Sequence, residues 1–455
     1  MTPDEITKLT EEIIKYSTKV QDEVAKEADP NFQNTVKKLE DSNAFLYSIV
    51  QSTCFPQHVS SDKVVREASS ESEKKLDAFD IESNMREDVY ASLVKYREKK
   101  EKLDAVDQRL LEKTLLDYER NGLGLAKEKR EKLKEMKTKI SELCNKFQVN
   151  LNEETTKLEF TEKELEGCTK SFLEGLRKSE KGNYIVSLKY PELFPVLQYA
   201  KNAETRKKLY LANASACNKE NIPLLEEIVA LRHECANLMG YETHADYILE
   251  VRMAKTKSNV HEFLHGLHEK LKPAALEDIN KFLEYKRKEE DSKAEKIHPW
   301  DFRYYNRMRM EKEYGVDDDY IKDFFPLDVV TKGVFQVYQK ILSLKFEKVE
   351  KPHVWHEDVE CYKVFDKESN NFIGHFYLDL FPRDGKYGHA AVRNLFCIFK
   401  HIFQAHRSNV GLPTPKNVRQ CKWKAEHYCS SHGGKLYKTS KGEAFTPPIL
   451  RSGNL

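Results

Sequence analysis

Residues 120–154 read RNGLGLAKEKREKLKEMKTKISELCNKFQVNLNEE. Leu133, Met136, Ile140, Leu143 and Phe147 recur three and four positions apart, which draws one apolar stripe along a helix otherwise built from Lys and Glu. Gly122 and Gly124 break a preceding helix whose apolar positions include Leu110, Leu111, Leu115 and Leu116. Together the two segments predict a long αα-hairpin, and they set the fold class as mainly α with a minor α+β part.

Working outward, the same helical periodicity extends back to Met1 with few prolines, so residues 1–154 form an N-terminal helical region. Residues 155–345 are mixed and then helical. KLEFTEKELEGC and GNYIVSLKYPELFPVL carry short alternating runs beside prolines and predict small strands. Helical patterns resume at Glu204 and run to about Leu344. NIPLLEEIVALRHECANLMGY is typical, with Pro223 near the start of its helix and Gly240 at its end. In residues 346–391, Val359, Tyr362, Val364 and Phe365, then DKESNN, then Phe372 to Phe381 predict a small β-meander near 346–382. Residues 392–455 change character and have no sustained period.

Composition excludes several classes of function. Lys and Arg number 76 against 75 Asp and Glu, a net charge of +1, so no bulk field favours nucleic acid or an anionic membrane. No window approaches the roughly 18 apolar residues of a membrane span. The opening MTPDEITKLTEEIIKYS has neither the apolar core of a secretory signal nor the Arg-rich, acid-poor make-up of a mitochondrial presequence, and the expectation is a cytoplasmic chain. Nine cysteines without paired spacing fit reduced thiols.

One stretch spells chemistry. Residues 261–268 read HEFLHGLH, which contains H-E-x-x-H. Two His at i and i+4 on one helical face can bind one zinc, and the intervening Glu can serve as general base. His261, Glu262 and His265 meet that spacing, and His268 shares the face. The competing reading is an ordinary helix, because Val260, Leu264, Leu267 and Leu271 form an apolar stripe expected to lie in the core. A third ligand is hard to supply, since Glu284, Glu289 and Glu290 fall in a charged, solvent-seeking run.

Other clusters carry weaker signals. Cys421, His427, Cys429 and His432, preceded by His401 and His406, crowd the tail but contain neither C-x₂-C nor H-x₃-H. Arg303, Arg307 and Arg309 among Tyr304 and Tyr305 could stack on single-stranded nucleic acid, but a helix whose arginines pair with nearby acids is the simpler reading. Asp317 to Asp319 read as a solvated loop. Phosphate-binding, dinucleotide-binding and serine-hydrolase glycine motifs are absent from the sequence.

Five ordered blocks carry a resemblance: FPQHVSSDKVVREASSESEKKLDAF, RNGLGLAKEKREKLKEMKTKISELCNKFQVNLNEE, LLEEIVALRHECANLMGYETHADYILEVRMAKT, PWDFRYY and FYLDLFPRDGKYGHAA. Over residues 1–391 the chain resembles the thimet oligopeptidase and neurolysin family of zinc endopeptidases. The resemblance implies an elongated, mostly helical, zincin-type molecule in which two lobes flank a channel that admits short peptides. Residues 346–391 would open the catalytic lobe. In that family the zinc helix reads His-Glu-Phe-Gly-His and lies downstream of the block that here reads GKYGHAA. After Ala391 this sequence departs from the pattern, and HEFLHGLH aligns instead with a family helix that carries no metal. No catalytic, cofactor-binding or metal residue is therefore carried over. Zinc belongs to the intact family and is not expected in this chain. The resemblance points to a truncated, inactive member whose family partners are short peptides rather than nucleic acid or membrane. The alternatives are a non-catalytic peptide- or partner-binding fragment, and a separate zinc site at His261, Glu262 and His265.

Overall fold

A capping box starts the chain's first helix. The Thr2 hydroxyl accepts from the Glu5 amide at 3.2 Å, the Glu5 carboxylate accepts from the Thr2 amide at 2.8 Å, and Pro3 occupies the first turn. The computed structural model describes residues 1–316, 318–387 and 391–395. The N-terminal region is α1 (Pro3–Ala25), α2 (Val36–Cys54), α3 (Lys63–Ser83), α4 (Glu87–Glu98), α5 (Ala105–Tyr118) and α6 (Lys127–Asn152). Ile13, Phe45, Ile49 and Leu76 join α1, α2 and α3. Val24, Val36, Val89, Leu93, Leu111 and Leu115 join α1, α2, α4 and α5.

The turn between α5 and α6 is a π-helical step at Glu119–Leu123, with Gly122 at φ 99. A Cβ at Gly122 would lie 2.7 Å from Leu133 Cδ2, so close approach and backbone conformation both demand glycine. The stripe on α6 is buried as expected at Leu133, Met136 and Leu143. The hairpin itself differs from the expectation, because α5 packs on α4 and α2 while α6 packs along α3 and the later α10. Leu111 and Leu115 of α5 bury in the core shared with α1, α2 and α4, whereas Leu133, Met136 and Leu143 of α6 bury in cores that include residues of α10.

A small antiparallel pair follows, β1 (Lys157–Phe160) with β2 (Tyr184–Ser187), in a register that sets Lys157 opposite Ser187 and Phe160 opposite Tyr184. Between and beyond them come α7 (Lys170–Gly175), α8 (Tyr190–Tyr199) and α9 (Ala203–Ala214). Phe160, Leu165, Val186, Leu193, Val196 and Leu209 form their shared core. The chain continues through α10 (Asn218–Leu238), α11 (His244–Leu249), α12 (Lys257–Glu289), α13 (Phe302–Tyr314), α14 (Asp318–Lys322) and α15 (Leu327–Leu342). Leu224 and Ile228 of α10 bury against Leu143, and Cys235 against Leu133 and Met136.

The expected meander is a three-stranded antiparallel sheet of β3 (Leu344–Lys348), β4 (Glu360–Asp366) and β5 (Phe372–Leu378). Its register pairs Phe346 with Val364 and Tyr362 with Phe376, and a bulge interrupts β4 between Val364 and Phe365. Phe335 of α15 stacks on Phe346 with centroids 4.6 Å apart and packs edge-on against Tyr362 and Phe376. The fold is thus mainly α with small antiparallel sheets, and no described helix is long and apolar enough to cross a membrane.

Candidate functional site

The H-E-x-x-H stretch lies in the first third of α12, whose start is capped by the Thr256 hydroxyl accepting from the Asn259 amide at 3.2 Å. Helical phase brings His261 and His265 side by side, their rings nearly parallel with centroids 6.2 Å apart. Ser258 donates to the Glu262 carboxylate at 2.9 Å, and His268 lies 3.9 Å from Glu269. All four side chains face solvent. No hydrogen bond fixes the orientation of either His261 or His265 among the described residues, and no three His, Cys, Asp or Glu side chains there converge in a way that could hold a metal ion. A catalytic zinc needs three protein ligands in a sheltered, hydrogen-bonded setting. The residues at this stretch do not fit one. Glu289 and Glu290 are engaged elsewhere, in contacts with Tyr304 and Arg206.

The stripe beside these histidines corrects the sequence reading. Leu264, Leu267 and Leu271 are 55%, 42% and 56% exposed rather than buried. Their spacing puts them on one face, but nothing in the described chain covers that face. Only Phe282, Leu283 and Lys286 of α12 are buried, all near its C-terminal end.

That end is held by a buried charge network. Arg206 of α9, fully buried, donates to the carbonyls of Ala200 and Lys201 at 2.9 Å, to Glu290 Oε1 at 2.6 Å and to Asp301 Oδ1 at 2.9 Å. Its guanidinium lies 4.2 Å from the Tyr304 ring centroid. Asp301 also accepts from Lys286 Nζ at 2.6 Å and from the His298 amide at 3.2 Å. Burial pushes the Asp301 carboxyl up, and the Lys286 and Arg206 hydrogen bonds outweigh it, holding the group below the usual carboxylate range. The network fastens α9, α12 and α13 together.

The arginines of α13 are likewise used internally. Arg307 donates to the Gln198 carbonyl at 3.0 Å and to Glu311 at 2.6 Å. Arg309 donates to Asp278 at 2.6 Å, and Arg303 lies 3.9 Å from the Phe194 centroid. Tyr304 and Tyr305 are buried. The stacking surface imagined from the sequence is therefore consumed by packing.

Two blocks that sequence reading held apart meet in a third cluster. The segment after β5 straps onto the loop between α2 and α3: Arg383 Nη2 donates to the Val59 carbonyl at 2.7 Å, and the Tyr387 amide donates to the His58 carbonyl at 2.8 Å. Asp379 accepts from Arg383 at 2.8 Å, Lys386 at 2.9 Å and Trp355 at 2.8 Å. Burial raises its pKa, but these donors win and hold it well below the usual carboxylate range. Beneath the strap, His58 is buried with Nδ1 unpartnered. Burial, with the Arg393 guanidinium nearby, pushes this imidazole down to about 4. Glu73 accepts from Gln57 Nε2 at 2.7 Å and is held above the usual carboxylate range by burial. Burial, and secondarily Glu73, pushes the Cys54 thiol up to about 12, which leaves it inert as a nucleophile. The sequence signal for this cluster was the PQHVSS block itself, which carried the resemblance without an evident job.

A surface cavity of about 290 Å³ between α4 and α5 is lined by Tyr96, Arg97, Glu101 and Gln108 and sets no base beside a nucleophile. The tail cluster of Cys421, His427, Cys429 and His432, with His401 and His406, lies outside the described residues, as does Asp317.

The described fold is a helical body with a three-stranded meander, and residues 196–423 match Peptidase family M3. The chain belongs to Peptidase family M3. It is 38% identical over 376 residues to the thimet-like oligopeptidase of Dictyostelium discoideum, covering 79% of this chain and 56% of the relative. It is 35% identical over 410 residues to saccharolysin of Saccharomyces cerevisiae, covering 86% and 57%. It is 28% identical over 387 residues to oligopeptidase A of Escherichia coli, covering 81% and 56%. The chain thus spans a little over half the length of these relatives. The family match runs past Ala391 to residue 423, into the stretch that sequence reading set apart.

Proposed function

We propose that this chain is a non-hydrolytic form of an M3 metallopeptidase: it contributes helical scaffold of the peptidase fold and does not itself cleave peptides. The observation that carries this is the open, solvent-facing position of His261 and His265 on α12, with no converging third ligand among the described residues. In the intact family, zinc activates water for attack on a peptide carbonyl. Here no residue is assigned a part in that step. Short peptides are the proposed ligand class of the parent fold, supported by the oligopeptidase names of the relatives. A cytoplasmic setting is supported by Cys54, Cys144, Cys168, Cys217, Cys235 and Cys361, all free thiols. The purified full chain, incubated with an internally quenched short peptide, is expected to give no chelator-sensitive cleavage. Zinc-restored cleavage that chelator removes would refute this reading.

A second reading, a partner-binding role, is favoured by one specific observation: large apolar side chains stand uncovered on α10, α12 and α15.

A further inference from the structure

The strap that leaves β5 closes over the PQHVSS loop with little clearance. Arg383 donates to the Val59 carbonyl at 2.7 Å, and the Tyr387 amide donates to the carbonyl of His58 itself at 2.8 Å. Between them Gly385 turns at φ 76, where a Cβ would collide with the Arg66 guanidinium and lie 2.9 Å from the Ser60 carbonyl oxygen. Arg66 is fixed in turn. It donates to the carbonyls of Ser60 and Ser61, both at 3.1 Å, and holds Glu153 of α6 through two hydrogen bonds of 2.8 and 3.1 Å. With Gly385 in contact on this side, the strap has no room to slide while it is seated.

What the strap covers is a side chain that can change charge. His58 is 7% exposed, its Nδ1 has no hydrogen-bond partner, and the Tyr387 ring packs edge-on against it with centroids 6.2 Å apart. A buried imidazolium needs an acceptor or a counter-charge beside it. The charges around His58 are mostly of the wrong sign. The strap brings Arg383 and Lys386, the stretch beyond it brings Arg393, and α3 brings Arg66. Three carboxylates stand near, each already engaged: Asp379 with Arg383 and Lys386, Glu153 with Arg66, and Glu73 with Gln57. Cys54 of α2 stays a neutral thiol, while Asp62 of the loop and Asp384 of the strap face solvent.

We propose that the strap is an acid-released catch: protonation of His58 unseats residues 383–387 from the PQHVSS loop while the N-terminal helices stay folded. Seated, the imidazole is held down at about 4, and once water reaches it the group returns to its ordinary 6.5. Release therefore takes up one proton from solvent and is favoured as pH falls below 6.5, with the full effect reached below 4. At pH 5 the ratio of open to seated strap rises about 30-fold over its value at pH 7.5. Glu73 opposes this, because burial holds its carboxyl up and favours the seated state in acid. The catch lies outside α12, so it stands whether or not the chain cleaves peptides.

Hydrogen exchange of the full chain, read by mass spectrometry at pH 7.5 and pH 5 and corrected for the intrinsic pH dependence of exchange, tests this. The peptide containing the Tyr387 amide is expected to lose protection about 30-fold at pH 5, while residues 133–143 of α6 keep theirs within about threefold. His58→Gln cannot take up the proton and is expected to lose less than about threefold at the strap. Glu73→Gln keeps the histidine and removes the opposing acid, so its loss should exceed that of the unmodified chain. That variant also carries the test should His58→Gln fail to fold. The proposal is overturned if the Tyr387 peptide keeps its protection at pH 5, or if His58→Gln loses as much as the unmodified chain. It is equally overturned if α6 loses protection in parallel, since the change is then global unfolding rather than release of the strap.

Discussion

Arg206 shows how a single residue organises the second half of the chain. Its buried guanidinium answers the buried Asp301 and the partly exposed Glu290, and Asp301 in turn answers Lys286. Removing one member of a buried ion pair leaves the other uncompensated, which costs about 3–5 kcal/mol. Arg206→Leu is therefore expected to lower unfolding stability by about that amount in urea titration. His58 makes a prediction of opposite character, because its stability term depends on staying neutral. The folded chain keeps it neutral down to about 4, whereas an unfolded histidine protonates near 6.5. The unfolded state thus binds more protons in that window, and stability is lost as pH falls from 6.5 towards 4, by roughly 3 kcal/mol at most. Glu73, held above the carboxylate range, works in the other direction. Subtracting the pH profile of His58→Gln from that of the unmodified chain isolates the histidine. A difference profile that is flat between pH 4 and 6.5 would contradict this account.

At the scale of elements, the π-helical step at Glu119–Leu123 turns the chain from α5 into α6 and is fastened to α11. Arg120 donates to the Tyr247 carbonyl and to Glu250, and lies 4.4 Å from the Tyr247 centroid. Tyr247 returns a hydrogen bond to the Arg120 carbonyl at 2.8 Å. Gly122→Ala meets both a left-handed backbone and the Leu133 side chain, so a loss of about 1–3 kcal/mol is expected by thermal denaturation. On α12, His265→Ala removes an exposed side chain that supports nothing. It is expected to change stability by less than about 0.5 kcal/mol. Its zinc content after dialysis, measured by atomic emission, should equal that of the unmodified chain.

Over the described residues, burial declines from the N-terminal helices towards α12 and α15. The N-terminal helices enclose continuous cores, whereas α15 has no buried residue and α12 is buried only near its end. Amides open locally at a free energy set by the burial around them. Hydrogen exchange monitored by mass spectrometry should therefore show the Leu133–Leu143 part of α6 as slow and α15 and the first half of α12 as fast. Equal protection would contradict this ordering.

The periodicities of the sequence were sufficient to place α6, both small sheets and the C-terminal end of α10, because helix and strand periods and glycine act over a few residues; α10 begins at Asn218, with Pro223 inside it. They also sufficed to show that His261 and His265 share a face. What covers a face is a non-local matter. The stripe at Leu264, Leu267 and Leu271 has the letters of a core helix and the exposure of a surface one. The parting of α5 from α6, and the strap that brings Arg383 to a carbonyl 324 residues away, were equally invisible. Local pattern sets which side chains point together, and only the tertiary structure decides whether water, metal or another helix meets them.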